Sequence, residues 1–336
     1  MSIEPTTTSA QPSSSSKRTP TKNLMLFSGR THPTLAREVA ELLGVDLVPT
    51  TAYDFANGEI YIRFDESVRG CDAFVIQSHA APINQSIMEQ LIMIDALKRA
   101  SAKRITVVLP FYGYARQDKK HLGREPISAR LVADLFLAAG ADRLMTVDLH
   151  TAQIQGFFDG PVDHLLAMPI LTRYVREKYA DRSFAVVSPD AGRIKVAEAW
   201  ANSLGGAPLA FIHKTRDVTR PNESKANRVV GEVAGRTCIL VDDLIDTGGT
   251  IVQAADALMA DGAAEVVILA THPVFSGPAV QRLRDSVATE VIVTNTLPLE
   301  PEQMFDKLTV LSIAPLFAQA IAAVFEDGSV TSLFKG

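Results

Sequence analysis

An α/β fold built on mostly parallel sheets is expected for this chain, and three observations predict it. Short apolar runs alternate with helix-period stretches from Asn23 onward. The composition, 47% hydrophobic and 21% charged, is that of a packed globular protein. The length of 336 residues suits about two domains at roughly 100–200 residues each. Strands separated by helices pair in parallel and are covered on both faces. Whole-chain disorder and a collagen-like architecture are excluded.

The elements follow in order. Residues 1–22 are almost all Ser, Thr, Pro, Gln and Lys, without an apolar h-region, and read as a disordered tail. Leu24 to Phe27 reads as a buried strand. Pro33 opens a helix with Leu35, Val39, Leu42 and Leu43 on one stripe, closed by Gly44. Ile105 to Leu109 is a second strand. Pro126 begins a helix carrying Ile127, Leu131, Leu135 and Phe136, ended by Gly140. Leu144 to Val147, Phe184 to Val187, Leu209 to Ile212, Thr237 to Val241 and Val266 to Leu269 are further strands. The halves echo each other: Pro126 to Gly140 and Gly248 to Gly262 are helical stretches of equal length, each ending at the glycine of a Gly-Ala pair and followed by a strand and a histidine ten residues after the glycine, His150 and His272. Two α/β domains in tandem are expected, 23–166 and 167–336, with the last helix, around Pro315 to Val324, packing back on the first.

Several function classes drop out. With 33 basic and 38 acidic side chains the charge is −5, which argues against a dedicated nucleic-acid binder. No apolar run reaches the ~18–20 residues that span a bilayer, so no membrane partner is expected. Cys71 and Cys238 are too few for a disulfide framework or a cysteine-based metal site. A cytoplasmic enzyme is the expectation.

The most informative segment runs from Asp242 to Thr250. It follows a strand and opens a helix, where glycine-exposed N–H groups form an anion site. Thr247 and Thr250 add hydroxyls beside Gly248 and Gly249. Asp242, Asp243 and Asp246 would repel a phosphate, so their partners are hydroxyls or a metal. A sugar phosphate meets both demands; the bland reading is a capped βα turn with solvated acids. The segment is neither a Walker A sequence nor a dinucleotide fingerprint.

This loop is similar to the ribose-5-phosphate loop of type I phosphoribosyltransferase folds. Further segments resemble the class I ribose-phosphate diphosphokinases, also called phosphoribosyl pyrophosphate synthetases. They are Phe55-Ala56-Asn57-Gly58-Glu59, Tyr114 to Lys119, Val147 to His150 running on through Phe158, Ser188 to Gly192, and His213 to Arg216. The resemblance covers residues 24 to 336. It implies two type I phosphoribosyltransferase-like domains and transfer of a diphosphoryl group from ATP to the 1-hydroxyl of ribose 5-phosphate, with AMP as the second product.

The resemblance also implies the roles. Lys214 and Arg216 would stabilise charge on the transferred phosphates, the alternative being a solvated basic loop. His150 and Asp190 would serve Mg²⁺, directly or through water. Arg116 and Gln117 fall on ATP; Phe55 would stack on adenine, with Asn57, Gly58 and Glu59 beside it, in a neighbouring subunit's site, the alternative for Phe55 being plain packing. Arg216, Asp242, Asp243, Asp246, Thr247, Gly248, Gly249 and Thr250 would hold ribose 5-phosphate. A homo-oligomer built from dimers, commonly a hexamer, is implied, activated by inorganic phosphate and inhibited by ADP, with Ser312 to Pro315 at the regulatory phosphate. Two departures stand out. Arg193 replaces the family's usual second glycine, either crowding the turn or adding a cation beside the phosphates. The stretch after Arg216 is less lysine-rich. A base-transferring phosphoribosyltransferase and an inactive regulatory homologue are the competing readings; the first would not need the His150 segment, and the second would be expected to lose Lys214, Arg216 or the acidic loop.

Overall fold

Parity along each strand decides which core a side chain enters, and two sheets sharing one core result. The computed structural model describes residues 22–215 and 226–334, so Arg216, most of the expected tail and all of the altered stretch 217–224 lie outside the described residues. The first sheet holds β1 (Leu24–Ser28), β4 (Asp72–Ile76), β5 (Arg104–Leu109), β6 (Arg143–Val147) and β7 (Val162–Leu165), all parallel and in that order. An antiparallel hairpin of β2 (Thr50–Asp54) and β3 (Ile60–Phe64) stands apart from it. Its helices are α1 (Pro33–Leu43), α2 (Ile83–Arg99) and α3 (Ser128–Ala139).

The second half begins with α4 (Met168–Lys178), β8 (Phe184–Ser188), α5 (Ile194–Ser203), β9 (Leu209–Thr215) and β10 (Ala226–Val230). It continues with β11 (Thr237–Ile245), α6 (Gly249–Ala260), β12 (Glu265–Pro273), α7 (Ala279–Asp285), β13 (Glu290–Thr294), β14 (Leu308–Leu311) and α8 (Ala314–Phe325). Its strand order is β10-β9-β8-β11-β12-β13-β14, parallel except where β10 returns against β9. The expected α/β class with mostly parallel sheets is what the chain adopts.

Period-2 alternation sends Met25 and Phe27 of β1 to a core under α2 and α3, while Leu26 faces the core between the sheets. On β11, Cys238 and Leu240 face α6 and α7, whereas Ile239 and Val241 enter the shared core. That shared core also takes Leu35 and Val39 of α1, Trp200 of α5, and Leu316, Phe317 and Ile321 of α8. Helix α8 therefore lies against α1 although most of the chain separates them. The expected division near residue 166 falls between β7 and α4.

Local signals explain the helix ends. Pro33 sits in the first turn of α1, and Gly44 ends the helix at φ +66°, its N–H bonded to Ala40 and Glu41 carbonyls. Two expected stripes need correction. Leu42 is exposed, because the buried face of α1 is Leu35, Ala36, Val39 and Ala40. In α3 the buried row is Ala129, Val132, Ala133 and Phe136, leaving Ile127, Leu131 and Leu135 on the outside. Alanines buried in place of leucines show that hydrophobicity alone did not choose the face.

Phe317 is 1% exposed where α8 meets the shared core. Phe317→Ala is expected to cost about 3–5 kcal/mol by urea denaturation; a loss below ~1 kcal/mol would show that this helix does not hold the halves together.

Candidate active site

Strand β11 runs to Ile245, four residues beyond its expected end, so Asp242 and Asp243 lie on a strand and not in a loop. Asp242 is in register with Ala270 of β12, and Leu244 with His272. The chain then turns through Asp246 and Thr247 into α6. Gly248 takes φ +73°, a left-handed conformation that favours glycine, and α6 starts at Gly249. Arg282 of α7 steadies the turn by donating to the Thr247 carbonyl at 3.0 Å.

A cavity of about 300 Å³ opens over this turn at the carboxyl ends of the strands, where α/β sheets place ligands. Arg116, His150, Asp190 and Arg193 wall it together with Asp242 to Thr250. Arg116 Nη1 lies 2.6 Å from Asp246 Oδ2, joining the two halves across the cavity. His150 follows β6 and places Nδ1 2.7 Å from Asp243 Oδ2. Asp190 closes the turn after β8, its Oδ1 accepting the Gly192 N–H at 2.8 Å. Arg193 reaches Asp242 at 3.2 Å and Asp243 at 3.0 Å.

Comparison with known proteins places this geometry. Residues 24–140 match the model of the N-terminal domain of ribose phosphate pyrophosphokinase, and residues 210–335 that of the phosphoribosyl synthetase-associated domain. A ribose-phosphate pyrophosphokinase of Bifidobacterium longum is 66% identical over 317 residues, 94% of this chain and 93% of its own length. One of Mycobacterium tuberculosis is 66% identical over 315 residues, 94% of this chain and 97% of its own. The crystal structure of phosphoribosylpyrophosphate synthetase from Mycobacterium smegmatis superposes with a TM-score of 0.88 at 67% identity, covering 91% of this chain and 100% of that one. The chain belongs to the ribose-phosphate pyrophosphokinase family.

Within this pyrophosphokinase fold, one cavity gathers Arg116, His150, Asp190, Asp242, Asp243, Asp246, Thr247, Gly248, Gly249 and Thr250. Arg216 lies outside the described residues, and Gln117 and the Phe55 to Glu59 strip do not line this cavity. Gln117 Oε1 accepts from Ser128 Oγ at 2.7 Å and so ties the start of α3. Phe55 to Glu59 form the tip of the β2–β3 hairpin, with Phe55 exposed and edge-on to Tyr53 at 5.4 Å. Asn57 is used locally, its Oδ1 accepting the Glu59 N–H at 3.2 Å. Lys214, expected just beyond a strand, is within β9 opposite Asn227 of β10.

Electrostatics divide the acidic pair. Burial and the neighbouring Asp243 charge push the Asp242 carboxyl up, against the pull of Arg193. Burial also opposes ionisation of Asp243, but the His150 hydrogen bond and the Arg193 cation outweigh it and hold the group low. Facing an ionised Asp243, His150 Nδ1 is the donor of that contact, and Arg193 Nη2 lies 3.0 Å from the same ring nitrogen. Arg193 then donates to Asp243 and to the His150 carbonyl, 3.3 Å from Nη2. The crowded-turn reading of Arg193 is set aside by its ordinary backbone, φ −110° and ψ 13°.

A buried network beneath the cavity was not anticipated. Asp148 Oδ2 accepts from Thr271 Oγ1 at 2.6 Å and from the Ala167 N–H at 3.1 Å. His272 Nε2 donates to the Asp148 carbonyl at 3.1 Å, and Nδ1 faces Thr296 Oγ1 at 2.9 Å. Burial pushes His272 down to about 4, keeping it neutral. The position of Asp148 after a buried strand was the available signal; His272 registered only as an echo of His150.

Burial raises Asp148 from 3.8 to about 6, despite its two hydrogen bonds. The folded protein then holds this proton more tightly than the unfolded chain, so stability falls as pH rises between those values. Asp148→Asn keeps an oxygen acceptor and removes the effect. Its urea midpoint is expected to decline less than that of the wild type across that window; parallel declines would contradict the assignment.

Proposed function

We propose that this chain transfers the diphosphoryl group of ATP to the 1-hydroxyl of D-ribose 5-phosphate, giving 5-phospho-α-D-ribose 1-diphosphate and AMP. The bond formed joins the anomeric oxygen to the β-phosphorus; the α–β bridge breaks, and the hydroxyl proton is released. One observation carries this reading. A glycine-opened helix start, an acidic strand end and the His150 and Asp190 turns share a single cavity.

The residues divide the work by chemistry. N–H groups around Gly248 and Gly249, with the Thr247 and Thr250 hydroxyls, suit the 5-phosphate. Asp242 and Asp243 accept from ribose hydroxyls, and Asp246 orients Arg116 through their ion pair. Arg116 suits an ATP phosphate once it leaves Asp246, an exchange made easier by the partly exposed pair. Lys214 and Arg216 would neutralise charge on the group in transfer.

Mg²⁺ fits this donor set as an ion shared with ATP. Among the described residues no three His, Cys, Asp or Glu side chains converge. His150 and Asp190, on one cavity wall, would offer a nitrogen and an oxygen, with phosphates and water completing the shell. When bound, the ion supplies charge neutralisation on the ATP phosphates.

Assembly and regulation follow the same reading. The hairpin carrying Phe55, Asn57, Gly58 and Glu59 would serve adenine in a neighbouring subunit of a homo-oligomer, a hexamer built from dimers. The exposed row Ile127, Leu131 and Leu135 supports an association surface. Inorganic phosphate as activator and ADP as inhibitor would act near Ser312, whose Oγ donates to Glu38 and accepts the Ala314 N–H at 3.1 Å. Among the described residues no helix is long and apolar enough to cross a membrane, and a cytoplasmic enzyme is the corresponding proposal.

³¹P NMR of the protein with ATP, ribose 5-phosphate and Mg²⁺ is expected to show AMP growing together with a sugar-linked diphosphate. ADP as the product would overturn the reaction. Lys214→Ala should lower kcat on the order of 10²–10³-fold; unchanged turnover would remove Lys214 from the chemistry.

A further inference from the structure

Arg193 is the cation that most closely engages the acidic pair, and its contacts bear on substrate binding. Its side chain is only 18% exposed. Nη1 lies 3.2 Å from Asp242 Oδ1, which also accepts the Asp243 N–H at 2.9 Å. Nη2 lies 3.0 Å from Asp243 Oδ1, while Asp243 Oδ2 faces His150 at 2.7 Å. Three of the four carboxylate oxygens are therefore engaged within the protein. A vicinal diol places two donors side by side and needs two acceptors. With Asp243 Oδ2 facing His150, a diol that spans both acids draws on an oxygen that Arg193 already holds, so hydroxyl and guanidinium compete for the same lone pairs.

We infer that Arg193 is a specificity-determining residue that competes with the sugar diol for Asp242 and Asp243, so that ribose binds by displacing its guanidinium. This rests on the proposed reaction and adds to it a built-in competitor. The displacement is sterically open. Arg193 lines the 300 Å³ cavity and also a second one of about 190 Å³, walled by Val196, Ala197 and Trp200 together with Asp242 and Asp243, so the guanidinium has room to shift its contacts with the acids without leaving the site. Its forked geometry matters: two nitrogens bridge two carboxylates, which a lysine ammonium does less well.

The competition is read from a ratio of affinities. Ribose 5-phosphate and 2-deoxyribose 5-phosphate share the phosphate and differ in one diol hydroxyl, so any effect of Arg193 on the phosphate cancels. Calorimetry with the full chain, Mg²⁺ and α,β-methylene ATP gives a dissociation constant for each sugar. In Arg193→Ala the preference for ribose over deoxyribose is expected to rise at least threefold, because the hydroxyl no longer has to displace an ion pair. Arg193→Lys should show a smaller rise, about twofold, and carries the test alone if the alanine variant does not fold. An unchanged or reduced preference in the folded variants overturns the inference. Failure of wild-type protein to bind ribose 5-phosphate at all would instead overturn the proposed function.

Discussion

Two neighbouring carboxylates at the end of a buried strand are the constraint around which the rest of the site is arranged. Left to themselves, Asp242 and Asp243 would repel each other by a few kcal/mol in surroundings of intermediate dielectric. Each would also lose hydration on burial. The fold answers from two places: the Arg193 guanidinium from the start of α5 and the His150 imidazole from the turn after β6. Because His150 belongs to the first sheet and the acids to the second, its hydrogen bond also fixes one half against the other. Arg116 and Asp246 repeat that arrangement at the rim, in more exposed form.

That electrostatic junction is possible only because the shared core holds both sheets in place. Leu26, Val186 and Ile239 face it from three strands, and α8 closes it against α1. The Asp148 network lies between this core and the cavity, where Thr271 and His272 of β12 meet the turn after β6. Neutral His272 satisfies a backbone carbonyl without bringing a second charge close to Asp243. A positive imidazole there would compete with Arg193 and His150 for the same carboxylate. Burial of His272 thus preserves the pairing that the cavity relies on.

Much of the fold was legible because the relevant signals are local. Pro33 and Gly44 mark α1 through φ restriction and a left-handed cap, and both act where they stand in the sequence. The apolar stripes were less legible. Leu131 and Leu135 outrank Ala129 and Ala133 in hydrophobicity, yet the alanines are buried, because which face of a helix is covered is decided by its tertiary neighbours. The extension of β11 through Asp242 and Asp243 was hidden for a related reason. Acidic residues read as loop, but register with β12 keeps them in the strand. In the site, residue types and their order were readable from Asp242 to Thr250, whereas the pairing of Arg193 was not. Its partners lie some fifty residues away, and nothing in a linear pattern says that a turn after β8 meets the end of β11.

The hairpin of β2 and β3 shows where a single chain's account of catalysis ends. Tyr53, Phe55 and Tyr61 pack on one another, with Tyr53 stacked on Tyr61 at 4.7 Å, so the tip is ordered by its own aromatics and not by the cavity. An exposed aromatic cluster held rigid this way presents apolar area at little further entropic cost, which suits insertion against a neighbouring subunit. The diphosphate chemistry needs adenine held at one end of ATP and the transferred group at the other. In the proposed division Arg116 serves the phosphates and the acidic strand end the sugar, and among the described residues no Phe, Tyr or Trp lines the 300 Å³ cavity to take the base. If the hairpin supplies the adenine contacts of a neighbouring copy, as proposed, turnover depends on assembly, because the group that orients ATP and the group that holds the sugar then belong to different copies of the chain.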